Sequence, residues 1–409
     1  MSHPLTPRRE LWLLLTLAGI QFTHILDFMI MMPLGPQFTA LFGISDAQFG
    51  LLVSAYTLAA GVSGLIATTY VDRFGRKRLL LVLYALFAVA TLACGLAPTY
   101  ALLMAARIVA GLFGGVLSAL CQTIVGDVVP FERRGRAMGI FMTSFSVSTV
   151  AGVPLGLFLA ANFSWHAPFI AIAATCAVFA VFAAATLPVL TGHLRGPRQS
   201  TLANITQVLA DRNHQRAFVF SGLLMFAGFT IIPYITIYMQ ANGGLRGDQI
   251  PYIYLCGGIV TLFTARLFGR MTDARGKVTT FRLLAVATIV PMVSVTLIGG
   301  VPLWAILVVT TLFFLCMNGR MIPGMAIVTS AAQPQLRGTF MTLNSSVQSA
   351  AMGLAALLGG HLISRDADGM VQGYWVAALV GAGASLLAAW LAGRLSLHGA
   401  TAGAPSGRA

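Results

Sequence analysis

Twelve long apolar stretches constrain almost everything this chain of 409 residues can fold into. They cover roughly 11–34, 47–70, 79–97, 100–126, 137–161, 166–190, 217–241, 249–269, 283–300, 303–329, 338–363 and 373–393. A helix needs about 20 apolar residues to cross the hydrocarbon core of a bilayer. Lipid offers no partner to a backbone N–H or C=O, so runs of this kind must be helical where they span. Composition points the same way: 57% of the residues are hydrophobic and 9% are charged, against about 25% charged in soluble domains. The expectation is an all-α polytopic membrane protein with 12 transmembrane helices.

The formal charge of +14 would suit a nucleic-acid partner if it formed a face. It does not: Lys and Arg sit in short clusters between apolar runs, without interleaved aromatics, so no nucleic-acid partner is expected. The clusters set an orientation instead. With the N-terminus in the cytoplasm, all but five of the 25 Lys and Arg fall in cytoplasmic segments. Of the five, Arg246 and Arg365 lie on the opposite side, and Arg107, Arg266 and Arg320 lie within spans. Such an excess predicts both termini inside. Arg8 and Arg9 precede an apolar run too long for a signal peptide, so the first span is expected to be retained. The five cysteines are odd in number and lie inside apolar runs, which predicts small buried side chains rather than a disulfide framework or a metal site.

The chain divides at its longest cytoplasmic connection, 191–216. Two six-helix pseudo-repeats are expected on either side, 1–190 and 217–395, followed by a small polar tail, 396–409, expected to be disordered. The halves echo each other. Asp72-Arg73-Phe74-Gly75-Arg76-Lys77-Arg78 returns in part as Asp273-Ala274-Arg275-Gly276-Lys277. Arg134-Gly135-Arg136-Ala137-Met138 returns as Arg337-Gly338-Thr339-Phe340-Met341 at nearly the same offset. Parallel six-span repeats are an architecture of secondary transporters, with the binding site near the midplane between the halves.

Asp27 is the one acid of eleven placed well inside a span. An ionisable group at that depth is costly and marks a functional candidate. It either loads and releases a proton or is fixed in a permanent ion pair. Arg107 is its natural partner by depth: both lie seven residues from the outer ends of spans 1 and 4, roughly 10 Å below the surface at ~1.5 Å per residue. His24, one turn before Asp27 on the same face, either relays protons and binds substrate or is a neutral, hydrogen-bonded histidine. Gln21 extends that polar stripe. Arg320, after Asn318 in span 10, has no acid at its depth. It either meets an anionic or hydroxyl-rich substrate in a water-filled cavity or snorkels to span-end carbonyls. Arg266, near a span end, is expected to snorkel. Tyr56, Phe226, Phe229, Tyr234, Asn344 and Gln348 are candidate cavity-lining residues. No nucleotide-binding or hydrolase motif is present, so no cofactor and no enzymatic activity are expected; active transport would draw on an ion gradient.

Taken together, residues 10–395 resemble the major facilitator superfamily, and within it the twelve-span drug:proton antiporter branch and its sugar- or arabinose-efflux-like permeases. The resemblance is carried by Asp72-Arg73-Phe74-Gly75-Arg76-Lys77-Arg78 between spans 2 and 3, by Arg107-Ile108-Val109-Ala110-Gly111 in span 4, and by Gly152-Val153-Pro154-Leu155-Gly156 in span 5. The first span, Gln21 to Phe28 and on through Pro33 to Pro36, is similar to first spans of this group. The resemblance implies a proton-coupling role for Arg107, beside Asp27, which its depth makes the candidate proton site. It implies a cytoplasmic gate of Asp72, Gly75, Arg76 and Asp127, with Arg134 beside it, in which Asp72 faces the start of span 11. Gly152, Pro154 and Gly156 belong to a motif associated with antiport over symport. The implied protein is a monomeric, proton-coupled efflux transporter of a small organic molecule in a bacterial inner membrane, with protons and lipid as its other partners. Proton-coupled uptake, or a membrane sensor or scaffold on the same frame, are the alternative readings.

Overall fold

A computed structural model describes residues 6–129, 133–188, 190, 201–333 and 335–398, apart from the side chains of 7, 72, 134–136, 201 and 202. The first half contains α1 (Pro7–Ile30), α2 (Gly35–Phe42), α3 (Asp46–Tyr70), α4 (Arg76–Gly95), α5 (Tyr100–Val128), α6 (Arg134–Val147), α7 (Val153–Asn162) and α8 (His166–Thr186). The second contains α9 (Thr201–Ala210), α10 (Arg212–Phe229), α11 (Ile235–Ala241), α12 (Ile250–Arg275), α13 (Lys277–Ala287), α14 (Ile289–Leu297), α15 (Leu303–Ala331), α16 (Arg337–Leu362) and α17 (Tyr374–Ala392). A two-stranded hairpin, β1 (Ser364–Arg365) with β2 (Val371–Gln372), links α16 to α17.

Three spans are compound. A π-helical turn, Ser148–Gly152, joins α6 to α7; a 3-10 turn, Ile232–Tyr234, lies between α10 and α11; and α13 is followed at once by α14. Among the described residues, eleven helical segments are long and apolar enough to cross a membrane. The twelfth expected span is the helix α16. It has 26 residues but does not reach the apolarity of the others, because Thr342, Asn344, Ser345, Ser346, Gln348 and Ser349 interrupt it. The face that carries the ends of α1 and α17 is called the terminal face below, and its opposite the far face.

Local chemistry sets the helix boundaries. Ser45 and Gln48 form a capping box at the start of α3: Gln48 N–H donates to Ser45 Oγ at 3.2 Å and Ser45 N–H donates to Gln48 Oε1 at 2.9 Å. Asp211 accepts from His214 N–H at 2.8 Å and so starts α10 at Arg212, within the expected 191–216 connection. That connection also holds α9, seated by the fully buried Val208. The described residues reach three positions into the expected tail. Ser396 and Asn213 exchange two hydrogen bonds at 2.9 Å, and His398 N–H donates to Ser330 O at 2.6 Å. Residues 399–409 lie outside the described set.

Small residues bring the backbones together. A Cβ on Gly111 of α5 would sit 2.3 Å from Tyr56 O on α3, so only glycine permits this crossing. Between halves, α16 packs along α3, and α12 packs on α7 and the π turn. The cores differ by face. Toward the far face one continuous core crosses both halves, joining for example Phe38 and Phe49 to Tyr234, Ile237 and Tyr374. At the terminal face the second half has its own core, with Phe220, Phe281, Phe340 and Ala388.

Candidate functional site

The polar stripe of α1 meets α3, α4 and α5 inside the first half. Asp27 and Arg107 are both fully buried, at 0% exposure. Arg107 Nη1 donates to Asp27 Oδ2 at 2.9 Å and to the Asp27 carbonyl at 3.2 Å. Equal depth on α1 and α5 thus becomes contact. The other carboxylate oxygen, Oδ1, has no partner, and neither have Arg107 Nε and Nη2.

Aromatic rings surround the pair. The Arg107 guanidinium lies over the Tyr56 ring, 4.3 Å from its centre. Tyr56 stacks on Phe28 at 5.5 Å and 22°, and Phe28 stacks on Phe229 of the second half at 5.8 Å and 26°. His24 is half-buried between Tyr56 and Phe87, with ring centres 6.3 Å and 5.9 Å away. Gly114 makes room for this: a Cβ there would lie 2.6 Å from Tyr56 OH and 2.9 Å from His24 Cδ2. Seven of the eleven unpartnered buried side-chain N and O atoms among the described residues belong to Gln21, His24, Asp27, Tyr56, Thr91 and Arg107. Buried polar atoms are nearly always paired. A cluster of unpaired ones is chemically suited to water, a proton or a polar ligand.

Span 5 forms the wall behind Asp27. Ser148 Oγ donates to Phe22 O at 3.1 Å. A Cβ on Gly152 would lie 2.9 Å from Leu26 Cδ1, and one on Gly156 would lie 2.5 Å from Ile30 Cδ1. Pro154 opens α7 directly after the π turn. Ser148, Gly152 and Gly156 seat span 5 on the part of α1 that carries Asp27.

The expected binding set divides. His24, Phe28, Tyr56 and Phe229 form one ring cluster beside the Asp27–Arg107 pair, and Gln21 is buried on α1 with Oε1 unpartnered. Phe226 is half-buried on α10, one turn before Phe229. Gln348 of α16 donates to Ser221 Oγ on α10 at 2.8 Å, and Asn344, one turn earlier, is buried with Oδ1 unpartnered.

Three expectations are corrected. Arg320 faces neither a cavity nor a span end. It is 1% exposed and turns into the core of the second half, donating to Ser385 Oγ at 2.9 Å and Leu224 O at 3.2 Å. Asn318, two residues away and so rotated off that face, donates to Phe314 O and lines a crevice between span 5, α12 and α15. Tyr234 is fully buried nearer the far face, where it donates to Ala356 O and packs against Gly50 across the halves. It closes that face rather than lining a cavity.

At the terminal face Arg76 Nε lies 3.4 Å from Asp127 Oδ2, and its Nη1 donates to Val71 O at 3.3 Å. The side chains of Asp72 and Arg134 lie outside the described set. Gly75 has φ −61° and ψ 129°, a backbone any residue adopts, so glycine is not required there for conformation.

Sequence reasoning missed two groups. Tyr84, Phe87 and Thr91 form one stripe of α4 facing α1, where Tyr84 OH and Thr23 Oγ1 lie 2.9 Å apart. Their spacing of three and four residues was the available signal. At the far face Arg365 binds Asp46 through both carboxylate oxygens, at 2.9 Å each. Among the described residues it is the ion pair that crosses the halves. Its signal was the scarcity of far-face cations, which made Arg365 one of two.

The model of the Major Facilitator Superfamily matches residues 17–356. An uncharacterized MFS-type transporter of Bacillus subtilis (strain 168), YtbD, is 25% identical over 343 residues, 83% of this chain and 85% of its own. Multidrug resistance protein 2 of the same organism is 24% identical over 370 residues, 88% of this chain and 91% of its own. Among solved structures, a D-xylose–proton symporter shares the fold with a TM-score of 0.76, over 93% of this chain and 96% of its own, at 16% identity.

Proposed function

From the premise that the chain belongs to the Major Facilitator Superfamily, and is therefore a multi-pass membrane transporter of small molecules rather than an enzyme, we propose that it exports a small organic molecule in exchange for protons. The observation that carries this reading is the buried Asp27–Arg107 pair with Oδ1 left free. A carboxylate with one oxygen held by a cation and the other unpartnered can take a proton on the free oxygen without first breaking the pair. Losing the negative charge then leaves Arg107 as a buried cation without a counter-ion, an unfavourable state that substrate or rearrangement must relieve. Protonation and conformation are thereby linked.

The halves support alternating access. They are tied at the far face by a shared core and by Asp46–Arg365, while the second half keeps a separate core at the terminal face. With the termini cytoplasmic, as the charge distribution favours, this conformation is inward-facing and the inner membrane of a bacterium is its location. Export over uptake is supported by the span 5 glycines seated on α1 and by the relative named Multidrug resistance protein 2. Asp27 already has its cation, so a neutral, polar or anionic compound suits the site better than a strictly cationic one. A monomer suffices, since both halves lie in one chain.

A thermal-shift screen over sugars, organic acids, amino acids and antibiotics selects the substrate. In proteoliposomes the expected result is that Asp27→Asn abolishes accumulation driven by a pH gradient and leaves counterflow measurable. Accumulation that persists in Asp27→Asn removes the proton-site assignment, and wild-type protein without counterflow removes transport of that compound.

A further inference from the structure

Four flat groups form a continuous pile from the buried ion pair to the other half of the molecule: the Arg107 guanidinium, Tyr56, Phe28 and Phe229. The first three belong to α5, α3 and α1 of the first half, and Phe229 to α10 of the second. Phe28 lies two residues before the end of α1, and Phe229 is the last residue of α10, at the bend where its span continues through the 3-10 turn into α11. The two rings meet across the halves, so a rotation of one half against the other at the far face shifts one ring on the other.

We propose that the Phe28–Phe229 contact is the joint through which the protonation state of Asp27 controls opening of the far face, with Phe229 as its positioning residue in the second half. The proposal rests on Asp27 being the proton site. With Asp27 charged, Arg107 is held in two directions, edge-on by Oδ2 and the Asp27 carbonyl and face-on by the Tyr56 ring. That fixes the plane of Tyr56, and through it the planes of Phe28 and Phe229. Protonation on Oδ1 takes the charge from the acceptor and so weakens the stronger restraint. The guanidinium is then free to follow its remaining unpartnered Nε and Nη2 toward other acceptors, the Tyr56 plane is released, and the last ring contact weakens. The titratable groups around Asp27 are His24 on α1, Tyr56 on α3, Cys94 on α4, Arg107 on α5 and Cys176 on α8. Of these, only Arg107 contacts both the carboxylate and the ring pile.

The test needs no substrate. Spin labels at Leu41→Cys on α2 and Asp248→Cys before α12, both exposed on the far face, report the separation of the halves in the purified full chain in lipid nanodiscs. The parent chain without these two substitutions serves as the background for its own cysteines. Between about pH 8 and about pH 5.5 the long-distance population is expected to rise about fivefold or more, the low end of ordinary coupling between sites. Asp27→Asn removes the pH dependence. Phe229→Leu keeps an apolar side chain but no ring, and is expected to remove it too, with Asp27 intact; Phe28→Leu does the same from the other side. Phe229→Trp restores it. If Phe229 only packs, its loss changes the baseline distance but not the response to pH, and the proposal is overturned. A response that survives both Leu variants yet is absent from Asp27→Asn overturns the joint and leaves the proton site standing. A response that survives Asp27→Asn, or is absent from the labelled wild type, overturns the proton-site reading together with the joint.

Discussion

Each half of the molecule buries an arginine deep among its helices, and the two are held in opposite ways. Arg107 has an acid, an aromatic face and two unpartnered nitrogens; Arg320 has a hydroxyl, a backbone carbonyl and one unpartnered nitrogen. The first arrangement can exist in two charge states, because its counter-ion can be protonated. The second has one state, since guanidinium stays charged and neither Ser385 nor the Leu224 carbonyl titrates. Arg320 ties α15 to α10 and α17, and Ser385 extends the tie to Ala285 O on α13. The comparison teaches that one sequence feature, an arginine inside a span, meets an ionisable partner in one half and only neutral partners in the other.

The largest effect is expected from Arg107→Met. It leaves Asp27 buried without its cation, and breaking a buried pair from one side costs about 3–5 kcal/mol. A marked fall in the thermal midpoint and loss of the pH response at the far face are the expected readings. Arg320→Met gives up two hydrogen bonds but also a buried cation that has no acid, so a net change within about 2 kcal/mol is expected. Its far-face response to pH should match the wild type. Equal destabilisation by the two substitutions, or a pH response lost in Arg320→Met, would break the contrast between the halves. The smallest effect is expected from Asp46→Asn. Arg365 is 40% exposed in that pair, so its contribution is discounted for solvent to roughly 0.4–1 kcal/mol, a two- to fivefold rise in the far-open population. The spin-label distances should show a raised baseline with an unchanged pH midpoint, which would sharpen the division between a tie that sets the resting balance and a centre that responds.

Depth was legible before any coordinates; rotation was not. The position of Asp27 and Arg107 along their spans was enough to pair them, because each helix has fixed ends in the membrane and a fixed rise per residue. The same reasoning put Arg320 at a depth with no acid and left open which way it points. In a soluble helix the contrast between polar and apolar faces supplies the missing angle. Here lipid is as apolar as the core, so Leu, Val and Phe surround a span on every side and the contrast is lost. That is why Asn318 and Arg320 were grouped together although they face different neighbours, and why Tyr234 was expected in a cavity rather than in the far-face seal. The Asp46–Arg365 pair was hidden for another reason. Its members lie 319 residues apart, and nothing local ties the start of α3 to the hairpin before α17.

The polar character of α16 has a consequence for how the protein is made. Helices apolar enough to enter lipid singly can do so one at a time as the chain emerges. A helix carrying Asn344, Ser345, Ser346 and Gln348 gains little from lipid alone; its favourable surroundings are α3 and α10, both synthesised long before it. The eleventh span is therefore expected to settle only after the first half is in place to receive it. On this account the halves are not interchangeable cassettes: severed from residues 1–190, the second would keep α10 but lack α3, the helix along which its own penultimate helix packs most.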